Sequence, residues 1–293
     1  LKPEHLKISI RFFNDQEVRA VWDDEQSKWW FSVVDIVGAL NEETDYSKSR
    51  NYWKFLKTKL KKANHQLVSA TNQLKLMAAD GKKYNTALMD SEGIVALSKN
   101  FPNNRASKFL DWFLYSDTGI DGQSKKKAYT LFESHLINDF EIGTTKGLQQ
   151  IHAYLFGGLY NFAGQLRNKS ISKGGYRFVY AQHLKNTLQQ IDALPQSTLR
   201  EIILKYAEMN KAHPFMEGNG RSTRIWLDMM LKKHLNKCVD WSKIRKEDYM
   251  NAMIISTVDS SVLMEWIETA LTSEINNREL FMKGIDYSYY YEE

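Results

Sequence analysis

Between His213 and Arg224 the chain gathers an imidazole, a carboxylate, an amide, two glycines and two guanidinium groups: His213-Pro214-Phe215-Met216-Glu217-Gly218-Asn219-Gly220-Arg221-Ser222-Thr223-Arg224. These residue types at this spacing read as a phosphate-gripping turn that opens a helix. Gly218 and Gly220 permit positive φ and close approach of backbone N–H groups to a ligand. The apolar run Ile225-Trp226-Leu227, with Met229-Met230, predicts a helix directly behind them. A helix start carries unpaired N–H donors and partial positive charge, so it attracts anions. Arg221 and Arg224 lie one turn apart, and guanidinium groups stay charged and meet phosphate oxygens in pairs. Glu217 is a hard oxygen ligand suited to Mg²⁺ against phosphates. His213 titrates near neutrality and suits a general base.

The elements that must hold this loop fall into two textures, and the expected fold is multi-domain α+β. Residues 1–116 read as a mixed α/β domain. Ile8, Ile10 and Phe12 alternate with polar residues as a half-buried strand does, and β-rich chemistry continues over 18–22 and 29–34, with Asp23-Asp24 as a turn. A short helix is expected over 35–40 and a clearer one over 47–62, with Trp53, Leu56 and Leu60 on one face. Strands around Asp80-Gly81 over 66–88 precede helices at 90–99 and 104–115, separated by Pro102. Residues 117–127, polar and carrying Gly119, Gly122 and three consecutive lysines, read as a linker. Residues 128–293 read as nearly all helix, with helical spacing over 126–140, 145–162, 181–193, 197–212, 218–235, 241–258 and 260–282. The break at 167–180 carries Lys173-Gly174-Gly175 between β-branched and aromatic residues, which reads as a β-hairpin.

The loop matches His-Pro-Phe-x-Asp/Glu-Gly-Asn-Gly-Arg-x-x-Arg at every fixed position, and the chain thereby resembles the Fic (filamentation induced by cAMP) family. Ile151 to Phe156 and Tyr160 to Arg167 resemble that family's helix and the lead-in to its hairpin flap. The resemblance implies protein adenylyltransfer: AMP moves from ATP to a Ser, Thr or Tyr hydroxyl of a target protein. His213 would take the hydroxyl proton, Glu217 would hold Mg²⁺, Gly218, Asn219 and Gly220 would steady the α-phosphate, and Arg221 and Arg224 would hold the β- and γ-phosphates. The flap would receive the target as an added strand, with Ile171 and Ser172 at the docking edge. Gly220 separates this chain from the branch that phosphorylates, which has Lys there. Fic enzymes are often self-inhibited by a helix bearing Ser/Thr-x-x-x-Glu-Gly/Asn. Here Ser288-Tyr289-Tyr290-Tyr291-Glu292-Glu293 fits, with Glu293 in place of Gly or Asn, so Ser288 and Glu292 are the expected inhibitory residues. His152, between apolar residues, reads as a satisfied structural histidine and not as a second base.

The first part resembles the Bro-N domain of phage antirepressors, on Trp30-Phe31-Ser32-Val33-Val34-Asp35-Ile36-Val37, Tyr52-Trp53, Leu74-Lys75 and Lys108-Phe109-Leu110-Asp111-Trp112. Relatives of that domain bind DNA or regulatory proteins. Two readings of Arg50, Lys54, Lys57 and Lys61 stay open: contact with nucleic-acid phosphates, or a solvated lysine-rich face. The net charge of +5 permits a nucleic-acid partner without demanding one. The apolar content of 43% supports a real core. Cys238, the sole cysteine, excludes an internal disulfide and reads as packing. No run is apolar enough to span a bilayer, no signal-peptide pattern opens the chain, and a cytoplasmic location without a membrane partner is expected. The chain opens on Leu1 and not Met, so a preceding segment is an open expectation. Oligomeric state is also open, since some Fic proteins are regulated by self-association. Two other functional readings remain: a DNA-binding regulator with the Fic domain as sensor, and removal of AMP or transfer of another nucleotide by the same pocket. A P-loop is set aside, because no Gly-x-x-x-x-Gly-Lys-Ser/Thr run exists.

Overall fold

The structure is a computed structural model that describes residues 6–63, 66–78 and 80–293. It divides into two compact units, Leu1–Thr118 and Gly119–Glu293.

The first unit is built on an antiparallel sheet. Strands β1 (Leu6–Phe13), β2 (Gln16–Asp23) and β3 (Lys28–Ser32) form a meander. Asn14 and Asp15 turn the first hairpin with φ of 47° and 62°, the left-handed pair that matches strand twist. Helix α1 (Val33–Asn41) follows β3 without a loop. Residues 33–34, expected to extend the strand, lie in this helix. The Ser32 hydroxyl caps it by accepting from the Asp35 N–H, so helical geometry begins two residues early. Helix α2 (Tyr46–Lys62), capped by Asp45, buries Ser49, Trp53, Leu56 and Leu60 and turns Arg50, Lys54 and Lys61 outward. Strands β4 (Asn72–Met77) and β5 (Lys83–Asp90) complete the sheet in the order β1-β2-β3-β5-β4. Helices α3 (Ser91–Ser98) and α4 (Asn103–Tyr115) follow, with Pro102 at the α4 boundary as expected.

Period-two alternation gives this sheet two apolar faces. Val18, Ala20 and Phe31 meet Ile36, Leu40, Leu97 and Phe109 on one side, and Val21, Trp30, Leu76 and Leu88 cluster on the other. One buried ion pair ties sheet to helix: Arg19 donates from Nε to Asp35 Oδ2 at 2.7 Å and from Nη2 to Oδ1 at 2.7 Å. The Arg19 backbone N–H adds a third bond to Oδ2 at 3.0 Å.

The second unit is helical: α5 (Ile120–Glu133), α6 (Thr145–Phe156), α7 (Ala181–Asp192), α8 (Leu199–Ala212), α9 (Asn219–Leu235), α10 (Lys246–Ile255), α11 (Ser261–Ala270) and α12 (Arg278–Tyr290). Short strand pairs interrupt it, β6 (Ser172–Lys173) with β7 (Tyr176–Arg177), and β8 (Cys238–Val239) with β9 (Leu271–Thr272). Helix α9 is the axis. Its residues Ile225, Trp226, Leu227, Met230 and Leu231 are buried, and α6, α8 and α12 pack on it. Cys238 is buried in packing, and burial pushes its thiol up to about 11.

Further expectations change here. Residues 120–127, read as linker, belong to α5, because Ser124, Ala128 and Leu131 share a buried stripe while the intervening lysines do not. The helix expected over 145–162 stops at Phe156, where Gly157 leaves helical geometry. The run at 260–282 is two helices, because β9 intervenes and Asn277 caps a fresh start by accepting from the Leu280 N–H. Among the described residues no helix is long and apolar enough to cross a membrane.

Asp35→Ala strands the Arg19 charge inside the first unit and should cost about 3–5 kcal/mol. Denaturant unfolding followed by tryptophan fluorescence should show that loss as a lowered midpoint; an unchanged midpoint would remove the pair from the fold's essential contacts.

Candidate active site

Helix α8 ends where the candidate loop begins. His213 is its C-cap, in the left-handed region at φ 47°, with its N–H bonded to the Met209 carbonyl at 2.9 Å. A non-glycine residue held there stores backbone strain, which is affordable only when neighbours fix it. Arg167 supplies much of that fixing. Its buried guanidinium donates to the carbonyls of His213 (2.7 Å), Ala212 (3.0 Å), Lys169 (2.7 Å) and Val179. The base of the hairpin is thereby sewn to the end of α8. The Val179 N–H bonds the Lys211 carbonyl, and the Arg167 N–H bonds that of Pro214.

Phe178, directly after β7, stacks on the His213 imidazole with ring centres 3.8 Å apart and planes 10° from parallel. His213 Nδ1 lies 3.3 Å from the Asn210 carbonyl. Placing the proton on Nδ1 as donor leaves Nε2 with its lone pair. Loss of solvent around the half-buried ring pulls its pKa down to about 4. At neutral pH His213 is therefore in the form that can accept a proton.

The loop itself is braced from beneath. Asn219 Oδ1 accepts from the Phe215 N–H at 2.9 Å and Nδ2 donates to the Phe215 carbonyl at 2.8 Å. Its side chain, expected at the α-phosphate, is buried and committed to holding the turn. Gly218, the α9 N-cap, takes φ 79°, and a Cβ there would lie 2.5 Å from Phe156 Cε2. Gly220 lies within α9 and not at positive φ. Its missing side chain matters for another reason, since a Cβ would collide with Glu292 Oε1. His152 is fully buried, accepts at Nδ1 from the Gly164 N–H (2.9 Å) and reaches the Glu217 carbonyl from Nε2 (2.9 Å). Burial lowers its pKa to about 4, and it stacks on Phe215. It is a neutral strut under the loop.

The two arginines are each held by carboxylates. Arg224, 2% exposed, donates from Nη2 to Glu292 Oε1 at 2.6 Å, from Nε to Ser288 Oγ at 2.7 Å and from Nη1 to the Tyr249 hydroxyl at 3.2 Å. Glu292 follows the end of α12 and also faces Lys173 of β6 across 3.7 Å. Burial opposes its ionisation, but the Arg224 charge and hydrogen bond prevail and hold it below its ordinary range. The aromatic tail is core: Tyr291 stacks on Tyr249 at 4.6 Å and donates to the Trp241 and Ile244 carbonyls. Arg221 donates to Glu217 Oε1 at 3.0 Å and to Asp121 of α5. Glu217 is exposed at the mouth, and its Oε1 also accepts from the Gly218 N–H at 3.0 Å.

The structure thus brings His213, Glu217, Gly218, Gly220, Arg221, Arg224, Ser288 and Glu292 into one neighbourhood, with the hairpin alongside. Gly174 and Gly175, at φ 57° and 81°, make the hairpin turn, while Ile171 is half-buried and Ser172 exposed. Sequence reasoning missed Phe178, Tyr249, Asp121 and the role of Arg167. No local sequence pattern marks them, because each acts through a contact with a segment distant in the chain. Among the described residues no three His, Cys, Asp or Glu side chains converge as a metal cage.

Both imidazoles have folded pKa values of about 4 against an ordinary 6.5, so the unfolded chain binds protons first as pH falls. Their contribution to stability is present above about 6.5 and lost as pH drops toward 4. NMR titration should find both rings still neutral at pH 5; a midpoint near 6.5 for either would contradict its burial.

Residues 143–231 match the Fic/DOC family. Over 199 residues the chain is 28% identical to protein adenylyltransferase VbhT of Bartonella schoenbuchensis, covering 59% of this chain and 40% of that protein. Over 118 residues it is 30% identical to the probable protein adenylyltransferase y4lH of Sinorhizobium fredii, covering 36% and 61%. The chain therefore spans less than two thirds of either relative. Among solved structures, the BepC protein of Bartonella tribocorum with bound AMPPNP is similar at 19% identity and a TM-score of 0.45, over 52% of this chain and 84% of that one. Residues 143–231 are thus similar to the Fic/DOC family, and the relatives matched at modest identity include protein adenylyltransferases.

Proposed function

We propose that this chain transfers AMP from ATP to a Ser, Thr or Tyr hydroxyl of a target protein, and that its C-terminal segment restrains the reaction. The observation that carries the reading is the pairing of a neutral His213 with two buried arginines on the opening turns of α9. The adenylyltransferase relatives point the same way.

In this reading the target's hydroxyl oxygen bonds to the α-phosphorus, the bond from that phosphorus to the bridging oxygen of the β-phosphate breaks, and pyrophosphate leaves. His213 Nε2 takes the hydroxyl proton. Arg221 and Arg224 hold the β- and γ-phosphates, and the opening N–H groups of α9, near Gly218 and Gly220, steady the α-phosphate. Asn219 acts by keeping the loop in shape. Ile171 and Ser172 offer a strand edge that positions the target backbone beside His213. The exposed carboxylate of Glu217 fits Mg²⁺, which keeps few protein ligands and takes the rest from phosphates and water. Such an ion would supply neutralising charge at the phosphates. For the first unit, we infer a Bro-N-like module; its sheet with α2 alongside and the outward basic residues support it.

Restraint follows from charge. Glu292 Oε1 sits on Arg224 where a γ-phosphate would bind, and Lys173 faces its other oxygen. Incubation with α-labelled and γ-labelled ATP tests the activity: label should pass to protein only from the α position. His213→Ala should lower that transfer by about 10²–10⁴ while ATP affinity holds; transfer at the wild-type rate would remove His213 as the base. Glu292→Gly, measured by calorimetry and by label incorporation, should tighten ATP by about ten-fold or more and raise transfer. Equal affinity and rate for this variant and the parent would leave the tail as packing.

A further inference from the structure

We propose that Asp121 is a second built-in competitor for the nucleotide, seated on Arg221 as Glu292 is seated on Arg224. The proposal rests on the reading above, in which Arg221 receives the β-phosphate.

The Arg221 side chain is 4% exposed and lies beside two aromatic rings, with its guanidinium 4.9 Å from the Phe156 ring centre and 5.6 Å from that of Tyr289. The guanidinium thus packs on aromatic rings, and its N–H donors point along its edge, where an anion binds. That edge is taken: Nη1 donates to Asp121 and Nη2 to Glu217, while the buried Nε has no hydrogen-bond partner among the described residues. Glu217 comes from the loop itself, four residues back. Asp121 comes from a separate element, the first turn of α5, and no feature of the loop requires it.

The two competitors differ in how firmly they sit. Glu292 is 19% exposed and faces two cations. Asp121 is 61% exposed on its side chain and can swing into water with little loss of solvation. A polyphosphate brings more charge than one carboxylate and can take both Nη groups together. Asp121 is therefore the lighter gate, and it acts on any nucleotide with a β-phosphate. Glu292 acts only on one with a γ-phosphate.

Calorimetric titration of the full chain with AMP, ADP and ATP, with and without Mg²⁺, separates the two. Asp121→Asn should tighten ADP and ATP about two- to five-fold, the range of a partly exposed ion pair, and leave AMP unchanged. Glu292→Gly should tighten ATP and leave ADP unchanged. In the double variant the two gains should multiply for ATP. Unchanged or weakened ADP binding in Asp121→Asn would overturn the proposal, making Asp121 a brace for Arg221. Weakening seen only with Mg²⁺ would also overturn it, in favour of a metal ligand. Failure of the Glu292 arm alone would count against the inhibitory reading of the tail and not against Asp121.

Discussion

A guanidinium buried at the opening of a helix must have an anion, and the second unit is organised around meeting that demand. Arg224 cannot shed its charge, and the helix end adds partial positive charge beside it. Left unpaired it would cost several kcal/mol. The tail meets the need with Glu292 and Ser288, and α10 adds the Tyr249 hydroxyl beside the guanidinium. The same requirement explains Gly220, whose absent side chain leaves room for the carboxylate oxygen. A site that needs an anion and already contains one is poised for exchange.

The second constraint is the strained backbone of His213. Its left-handed φ turns the chain sharply from α8 into the loop, and Arg167 binds four carbonyls to hold that turn. The hairpin is part of the same bracing, because Phe178 covers the imidazole and Val179 bonds Lys211. In the proposed reaction, a target docking on the hairpin edge would therefore meet an imidazole whose orientation is already set. Beneath, His152 and Asn219 spend their hydrogen bonds on the loop and not on a ligand. Two polar groups with the look of chemistry thus serve as scaffold.

Much of this was legible in the residues. Alternating apolar positions placed β1, and the Trp53, Leu56 and Leu60 stripe placed α2, because those signals are local and periodic. Glycine pairs located the hairpin turn for the same reason. The motif placed the loop, and the resemblance carried by Ser288 to Glu292 marked the tail as the expected inhibitory segment. Illegible were the contacts between distant segments. Nothing near Asp121 says that it meets Arg221 a hundred residues later in the chain, and its polar surroundings hid an amphipathic helix inside an expected linker. Asn219 misled for a related reason: an amide can serve the loop or the ligand, and only burial decides. The early start of α1 came from a side-chain cap, which local β-propensity outvoted in the sequence reading.

The central claim is that ATP and Glu292 compete for Arg224. Hydrogen–deuterium exchange of the C-terminal peptide containing Ser288 and Glu292, with saturating ATP and separately with saturating ADP, tests it most directly. The account requires ATP to speed exchange in that peptide by expelling Glu292 and weakening the end of α12, while ADP leaves it protected. Protection that stays unchanged with ATP bound would show that both occupy the site together, and would contradict the account.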